Sequence, residues 1–197
     1  MNSLAFICCA GFIACIQDFI YIVFGSNFVL SFSCVLILVF SMLIYLLDIP
    51  IISVQNAMGL HRCDAGVMII QAVLAIACGY GAGKVWGMEG ILLGLTIPTV
   101  IFTFIHKGIV ISKVAFEVTS YKYLKDMGSD LIKGIVIIGV ISAICNCIPA
   151  WNPVIAMILK GILSVIISGI LIIAFSFKSE YFKETLAMLM RVLKLQK

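Results

Sequence analysis

The chain has 197 residues, of which 63% are hydrophobic and 11% are charged. Its mean hydropathy is +1.25. Soluble globular domains are about half apolar and about a quarter charged, so this composition excludes that class. The net charge of +4 does not predict nucleic-acid binding, because no DNA- or RNA-binding module is visible. We therefore expect an all-α, multi-pass membrane protein, since no alternating segments of a β-barrel occur and helices satisfy their own backbone in lipid.

Six apolar segments are each long enough to cross a bilayer, which takes about 20 residues. They predict a bundle of six transmembrane helices at residues 4–24, 28–57, 65–83, 88–105, 131–148 and 154–177. The second segment is too long for one straight crossing, so we expect tilt, a kink at Pro50 or an overhang into water. Residues 1–177 then form one transmembrane domain, and residues 178–197 form a tail.

The positions of the cations predict the orientation. With six crossings, Lys84 is the one cation on one side, and eleven cations share the other side with both termini. Those eleven are Arg62, Lys107, Lys113, Lys122, Lys125, Lys133, Lys178, Lys183, Arg191, Lys194 and Lys197. By the positive-inside rule, both termini are cytoplasmic. Anionic headgroups of the membrane lipids are then the expected partners of this face.

Two segments outside the spans combine an apolar stripe with interleaved charges. They are the link at residues 112–130 and the tail at residues 178–197. Such a pattern is typical of helices that lie along a membrane surface. We therefore expect both to be amphipathic helices on the cytoplasmic face.

Five polar residues fall within the apolar segments or at their ends, and they are the candidates for a substrate or ion pathway: Asp18, Asp48, Gln55, Asn56 and Lys160. An ionisable group at membrane depth suggests a functional site. A structural alternative is a hydrogen bond between helices, which is common for amides in membranes. Lys160 either faces a cavity or extends its ammonium group to the headgroups, and we favour the second.

No metal site, cofactor site or catalytic arrangement is expected. The eight cysteines include no CxxC pair, and no Cys/His cluster has zinc spacing. The glycine-rich run at residues 79–84 is not a nucleotide-binding loop, because Val85 follows Lys84 where a Ser or Thr is needed. The glycines of this run, with Gly90 and Gly94, instead predict close packing of the third and fourth helices. No HExxH motif occurs, so the chain is not predicted to be an enzyme.

The central part of the chain resembles a known family. The motifs are FIYIVFGSNFVL, a helix ending in NAMGLHR, the segment GMEGILLGLTIP and the amphipathic KVAFEVTSYKYL. Together they resemble the C-terminal part of bacterial polysaccharide and O-antigen flippases of the multidrug/oligosaccharidyl-lipid/polysaccharide exporter superfamily. The resemblance covers the whole chain as a series of spans, although the motifs are glycine spacings and hydropathy rather than a catalytic signature.

This resemblance implies a function. Such transporters have two six-helix lobes around a central cavity and move lipid-linked oligosaccharide across the bacterial plasma membrane. The six spans here are similar to one lobe, so we expect an N-terminal lobe or a partner chain to complete the transporter. Alternatives are a multidrug/cation antiporter of the same superfamily, with Asp18 or Asp48 as its proton or sodium site, and an accessory membrane subunit without transport of its own.

Overall fold

The computed structural model describes residues 3–59, 61–103, 120–146 and 152–176, and in these ranges the chain is helical without strands. The helices are α1 Ser3–Phe24, α2 Phe32–Ala57, α3 His61–Ile101, α4 Ser120–Asn146 and α5 Pro153–Ser176, with a short 3-10 helix at Ser26–Phe28. Five helices of the described part are long and apolar enough to cross a membrane. The predicted all-α membrane class is therefore confirmed.

Helices α1, α2, α4 and α5 form a four-helix bundle with α1 at its centre, in contact with each of the other three. Its core consists of side chains less than a tenth exposed, including Cys9, Val39, Leu43, Ile137 and Ile141. Because lipid tails are as apolar as these side chains, helix association in a membrane depends on close packing rather than on the hydrophobic effect. The bundle follows that rule, since small residues fill its central interface.

The buried face of α5 shows this small-residue packing. It presents a stripe spaced by four residues, which is Ala156, Lys160, Ser164 and Ser168. The hydroxyl groups of Ser164 and Ser168 donate to carbonyls of their own helix, at 2.8 and 3.0 Å. Both serines are therefore hydrogen-bonded within α5 and act as small packing residues. Lys160 is the polar residue of the stripe that interacts with another helix.

Helices α1 and α4 run in the same direction. A Cβ atom added to Gly134 of α4 would lie 3.0 Å from the ring of Phe6, near the start of α1. Near the other ends of the two helices, Cys145 and Asp18 line one cavity. The second of these contacts lies further along both α1 and α4 than the first, which requires the two helices to be parallel. The two helices therefore begin at the same end of the molecule.

Helix α3 is bent sharply at Gly87, where φ is 61° and ψ is −133°. Its two arms lie against each other, because a Cβ on Gly94 would collide with the backbone of Gly79 and one on Gly90 with the carbonyl of Ala82. Further from the bend, the amide of Gln71 donates to the hydroxyl of Thr99 at 3.3 Å. The prediction that glycines allow close helix packing here is confirmed, and Gln71 has the structural role expected of a membrane amide.

Polar side chains fix where two of the helices begin. Ser31 caps α2, since its hydroxyl accepts a hydrogen bond from the Cys34 amide at 3.3 Å. Asn152 does the same for α5 through the amide of Val154, also at 3.3 Å, with Pro153 in the first helical position that suits proline. Since Ser26–Phe28 is a separate 3-10 turn, α2 begins later than the expected residue 28.

Two sequence predictions concern segments near the described limits. Helix α4 begins at Ser120 and continues without a break into the membrane-spanning part. Residues 120–130 are therefore helical and continuous with the membrane-spanning part, whereas the position of residues 112–130 on the cytoplasmic surface stays a prediction. Residues 112–119 and the tail at 178–197 lie outside the described residues.

The glycine contacts in α3 give a first prediction. Gly94→Ala will lower the free energy of unfolding by about 1–3 kcal/mol, the usual cost of overpacking, because the new methyl group collides with the backbone of the other arm. The measurement is thermal unfolding of the purified protein in detergent. Gly81→Ala is the matched control on the same helix, because a Cβ there meets nothing within 4 Å. Equal stability of the two variants would contradict the close packing of the arms.

Candidate functional site

The candidate site is built around an ion pair inside the four-helix bundle. Lys160 Nζ of α5 lies 2.7 Å from Asp18 Oδ2 of α1. The two side chains are 13% and 15% exposed, respectively. The pair therefore joins the first and last described helices, and both of its side chains are largely buried. The preference for an ammonium group extended to the headgroups is wrong for Lys160, because a carboxylate lies within reach inside the bundle.

The ion pair faces a cavity of about 490 Å³ between four helices. Its lining is Ile13, Ala14, Gln17, Asp18, Phe32, Val35, Ser142, Cys145 and Lys160. A water molecule in the liquid takes about 30 Å³, so this space is large enough for a hydrated ion or for the headgroup of a larger molecule. Polar groups come from α1, α4 and α5, whereas α2 contributes Phe32 and Val35. The cavity thus has one apolar wall and three walls that carry polar groups.

Two further hydrogen bonds hold the polar end of α1 in place. The amide of Gln17 donates to the carbonyl of Leu30 at 3.1 Å, which connects α1 to the segment before α2. The thiol of Cys15 donates to the carbonyl of Met157 on α5 at 3.6 Å. A Cβ on Gly161 would lie 3.2 Å from the same sulfur atom. These contacts fix the position of α1, and hence the direction in which the Asp18 carboxylate points.

The other sequence candidates lie elsewhere. Asp48 and Gln55 are buried, at 6% and 5% exposure, on the later half of α2. Asp48 is 13 residues beyond Val35, which places it roughly 20 Å along the helix from the cavity lining. Asn56 is exposed. The structure thus brings together two of the five candidates, Asp18 and Lys160, and separates the other three from them.

Sequence reasoning did not identify three of the cavity residues, namely Gln17, Ser142 and Cys145. Ser142 and Cys145 are three residues apart on α4, a spacing that puts two side chains on one helix face. That spacing was a usable signal for a polar face. Nothing in the sequence indicates that this face meets Asp18 and Lys160.

Among the described residues, no group of three or more His, Cys, Asp or Glu side chains that could hold a metal ion comes together. What the site offers is one cation, one anion, an amide, a hydroxyl and a thiol around a cavity. Such a set can bind a charged group and exchange ionic partners.

A comparison with known proteins gives no match. No family model, no curated protein and no solved structure matches this chain. The function is therefore inferred from the site and from the membrane character of the helices.

The ion pair gives a second prediction. Asp18→Leu or Lys160→Met alone will lower the free energy of unfolding by about 3–5 kcal/mol, because each leaves a buried charge without its partner. The double variant will be close to the unmodified protein, since apolar side chains of similar size replace the pair. Thermal and denaturant unfolding in detergent measure the double-mutant cycle.

The matched control is Lys133→Met on α4, whose partner Asp130 lies 2.9 Å away and one helical turn back. This pair is 38% and 28% exposed, so we expect a change below about 1 kcal/mol. Additive effects of Asp18→Leu and Lys160→Met would contradict an energetic coupling between the two side chains.

Proposed function

We propose that the chain transports a lipid-linked oligosaccharide across the bacterial plasma membrane in cell-surface polysaccharide biosynthesis, as one lobe of a two-lobe transporter. The observation that carries this proposal is the Asp18–Lys160 pair, which faces a cavity among helices that are apolar enough to span a membrane. Ionisable groups in such positions characteristically mark substrate or ion pathways, because burying them costs energy that packing alone would avoid.

The polar groups of the cavity suit an anionic, hydroxyl-rich headgroup. The Lys160 ammonium group is a point charge that binds phosphate oxygens, as lysine does in many phosphate sites. The Gln17 side chain, and the hydroxyl of Ser142, lie in the same lining and can hydrogen-bond to sugar or phosphate oxygens. Phe32 and Val35 of α2 form the apolar wall of this pocket.

A single lobe does not provide alternating access, which needs two bodies that rock against each other around a fixed site. The transport mechanism therefore requires a second lobe, supplied by an N-terminal part of a longer chain or by a partner chain. In this mechanism the lobe described here contributes the charged site, and its partner closes the cavity.

The proposed topology has six crossings with both ends of the lobe in the cytoplasm. Helices α1 and α4 begin at the same end of the molecule, so an even number of crossings must precede α4. If the two arms of α3 cross separately, four crossings precede α4 and the condition is met. If α3 crosses once, three crossings precede α4 and the condition fails. Exposed Tyr21, Phe24 and Phe28 lie at the end of α1 and in the turn that follows, and exposed Tyr80 and Trp86 lie in the last two turns before the bend of α3. The hydrogen bond from Ser31 to Glu89 joins these two regions, so the aromatic side chains fit a belt at one membrane surface.

Alkaline phosphatase fusions test the topology, since this enzyme folds only outside the cytoplasm. A fusion after Lys107 will be inactive if the two arms of α3 are separate crossings, because the junction returns to the cytoplasm. A fusion after Trp86, at the bend, will be active. High activity after Lys107 would instead indicate that α3 crosses once, and the six-crossing topology would then be wrong.

A cation-coupled multidrug antiporter is the second candidate, and the burial of Asp48 favours it. This carboxylate is 6% exposed within a helix that is apolar enough to span the membrane. It lies far from the cavity, so it would act as an ion site separate from the Asp18–Lys160 pair. The flippase and the antiporter predict different phenotypes for cells that lack the protein, namely accumulation of lipid-linked oligosaccharide and sensitivity to cationic drugs, respectively.

The proposed function predicts the phenotype of a deletion. Cells without the protein will lose surface polysaccharide and accumulate lipid-linked oligosaccharide in the inner leaflet, where added glycosidase or lectin does not reach it. Lys160→Gln will fail to restore export, because the cation that binds the phosphate group is gone. Lys133→Gln is the matched control and will restore export, since this lysine is only partly buried on α4 and lies outside the cavity lining.

Carbohydrate analysis of the cell surface and mass spectrometry of extracted lipids are the measurements. Unchanged polysaccharide and unchanged lipid intermediates in the deletion strain would show that the proposal is wrong. An increased sensitivity to cationic drugs in that strain, with normal polysaccharide, would favour the antiporter.

A further inference from the structure

The Asp18–Lys160 pair has a consequence for the way the cavity binds charge. The two side chains together are electrically neutral, and both are largely removed from water. An anion that binds Lys160 from the cavity competes with the Asp18 carboxylate for the same ammonium group. After that exchange, Asp18 is left as a buried anion beside a second anion. Leaving such a charge without compensation in a low-dielectric site costs several kcal/mol.

We infer that the cavity binds an anion and a monovalent cation together, with the anion on the Lys160 ammonium group and the cation on the Asp18 carboxylate that the anion displaces. The cation is a proton or Na⁺, since both neutralise a carboxylate. This inference rests on the proposed function and goes further, because it specifies what must accompany the anionic headgroup. The cation would move in the same direction as the anion, as in cotransport, since the two ions bind together rather than in exchange.

The surroundings of Asp18 determine which other groups can respond. Lys160 faces it from α5, Cys15 lies one helical turn earlier on α1, and Cys145 lines the same cavity from α4. The cavity residues of α2, Phe32 and Val35, are not ionisable. Among these groups, a carboxylate is the natural acceptor of a proton or Na⁺, because neutral thiols and amides do not compensate a negative charge.

Linkage gives the size of the expected effect. If one proton enters with each anion, the anion's dissociation constant falls tenfold for each unit by which the pH drops. If Na⁺ is the cation, the dissociation constant falls in proportion to the Na⁺ concentration at constant pH. By reciprocity, the anion strengthens cation binding by the same factor.

The probe for the test is farnesyl diphosphate, a soluble amphiphile with the expected anionic group, with farnesol as the uncharged control. Binding to the purified full-length protein in nanodiscs is measured by calorimetry from pH 5 to pH 8, with and without Na⁺. We expect binding of the diphosphate but not of farnesol, and an affinity that rises with proton or Na⁺ concentration. The response to each ion separately identifies the cation.

Two variants assign the effect to the pair. The Asp18→Asn variant will bind the diphosphate at least tenfold more tightly than the unmodified protein at pH 8, because no carboxylate competes for Lys160. Its affinity will change with pH only through the ionisation of the probe's own phosphate groups. Lys160→Gln will not bind the diphosphate. Should Asp18→Asn fail to fold, a pH indicator can measure proton uptake when the unmodified protein binds the diphosphate at several Na⁺ concentrations. This measurement also shows whether a proton or Na⁺ enters with the diphosphate.

The outcomes separate the two proposals. Affinity that depends neither on Na⁺ nor on pH beyond the probe's own ionisation would overturn the cotransport inference and leave the export function in place. Absence of diphosphate binding to the intact protein would also overturn it. Normal polysaccharide in the deletion strain would instead contradict the proposed function, whatever the binding experiment shows.

Discussion

The main electrostatic constraint on the bundle is a pair of opposite charges held largely away from water, because neither charge is tolerated there without the other. A carboxylate or an ammonium group alone in a membrane interior is costly, so Asp18 and Lys160 stabilise the structure only when α1 and α5 bring them together. The small residues of both helices allow that approach. Packing and electrostatics therefore require the same arrangement, and the cavity forms where the four helices leave space beside the pair.

The second constraint is steric and lies in α3. Four glycines, at positions 79, 83, 90 and 94, permit the two arms to touch backbone to backbone, and Gly87 takes the positive φ that reverses the chain. Outside this interface the hairpin is lined by exposed apolar side chains, such as Val73, Ile76 and Ile97. A hydrogen bond of 2.7 Å from the Ser31 hydroxyl to Glu89 joins its bend to the start of α2.

Much of this architecture was predictable from the sequence, because hydropathy and glycine spacing act locally. The apolar helices and the close approach in α3 followed from such signals, as did the location of Asp18 and Lys160 within apolar segments. The pairing of those two charges did not, since they are 142 residues apart and periodicity does not say which faces of distant helices meet. The sequence also did not indicate that the amphipathic residues up to 130 continue into the next spanning helix, because polar residues in the first turns of such a helix resemble those of a surface segment.

The distance between the two charges along the chain also affects how the protein is made. Asp18 leaves the ribosome 142 residues before Lys160. At 5–20 residues per second, this is a delay of on the order of ten seconds. During that interval α1 enters the membrane without the ammonium group that later neutralises its carboxylate. The ion pair between α1 and α5 therefore cannot form until α5 has been synthesised, which makes it one of the last contacts of the bundle to form.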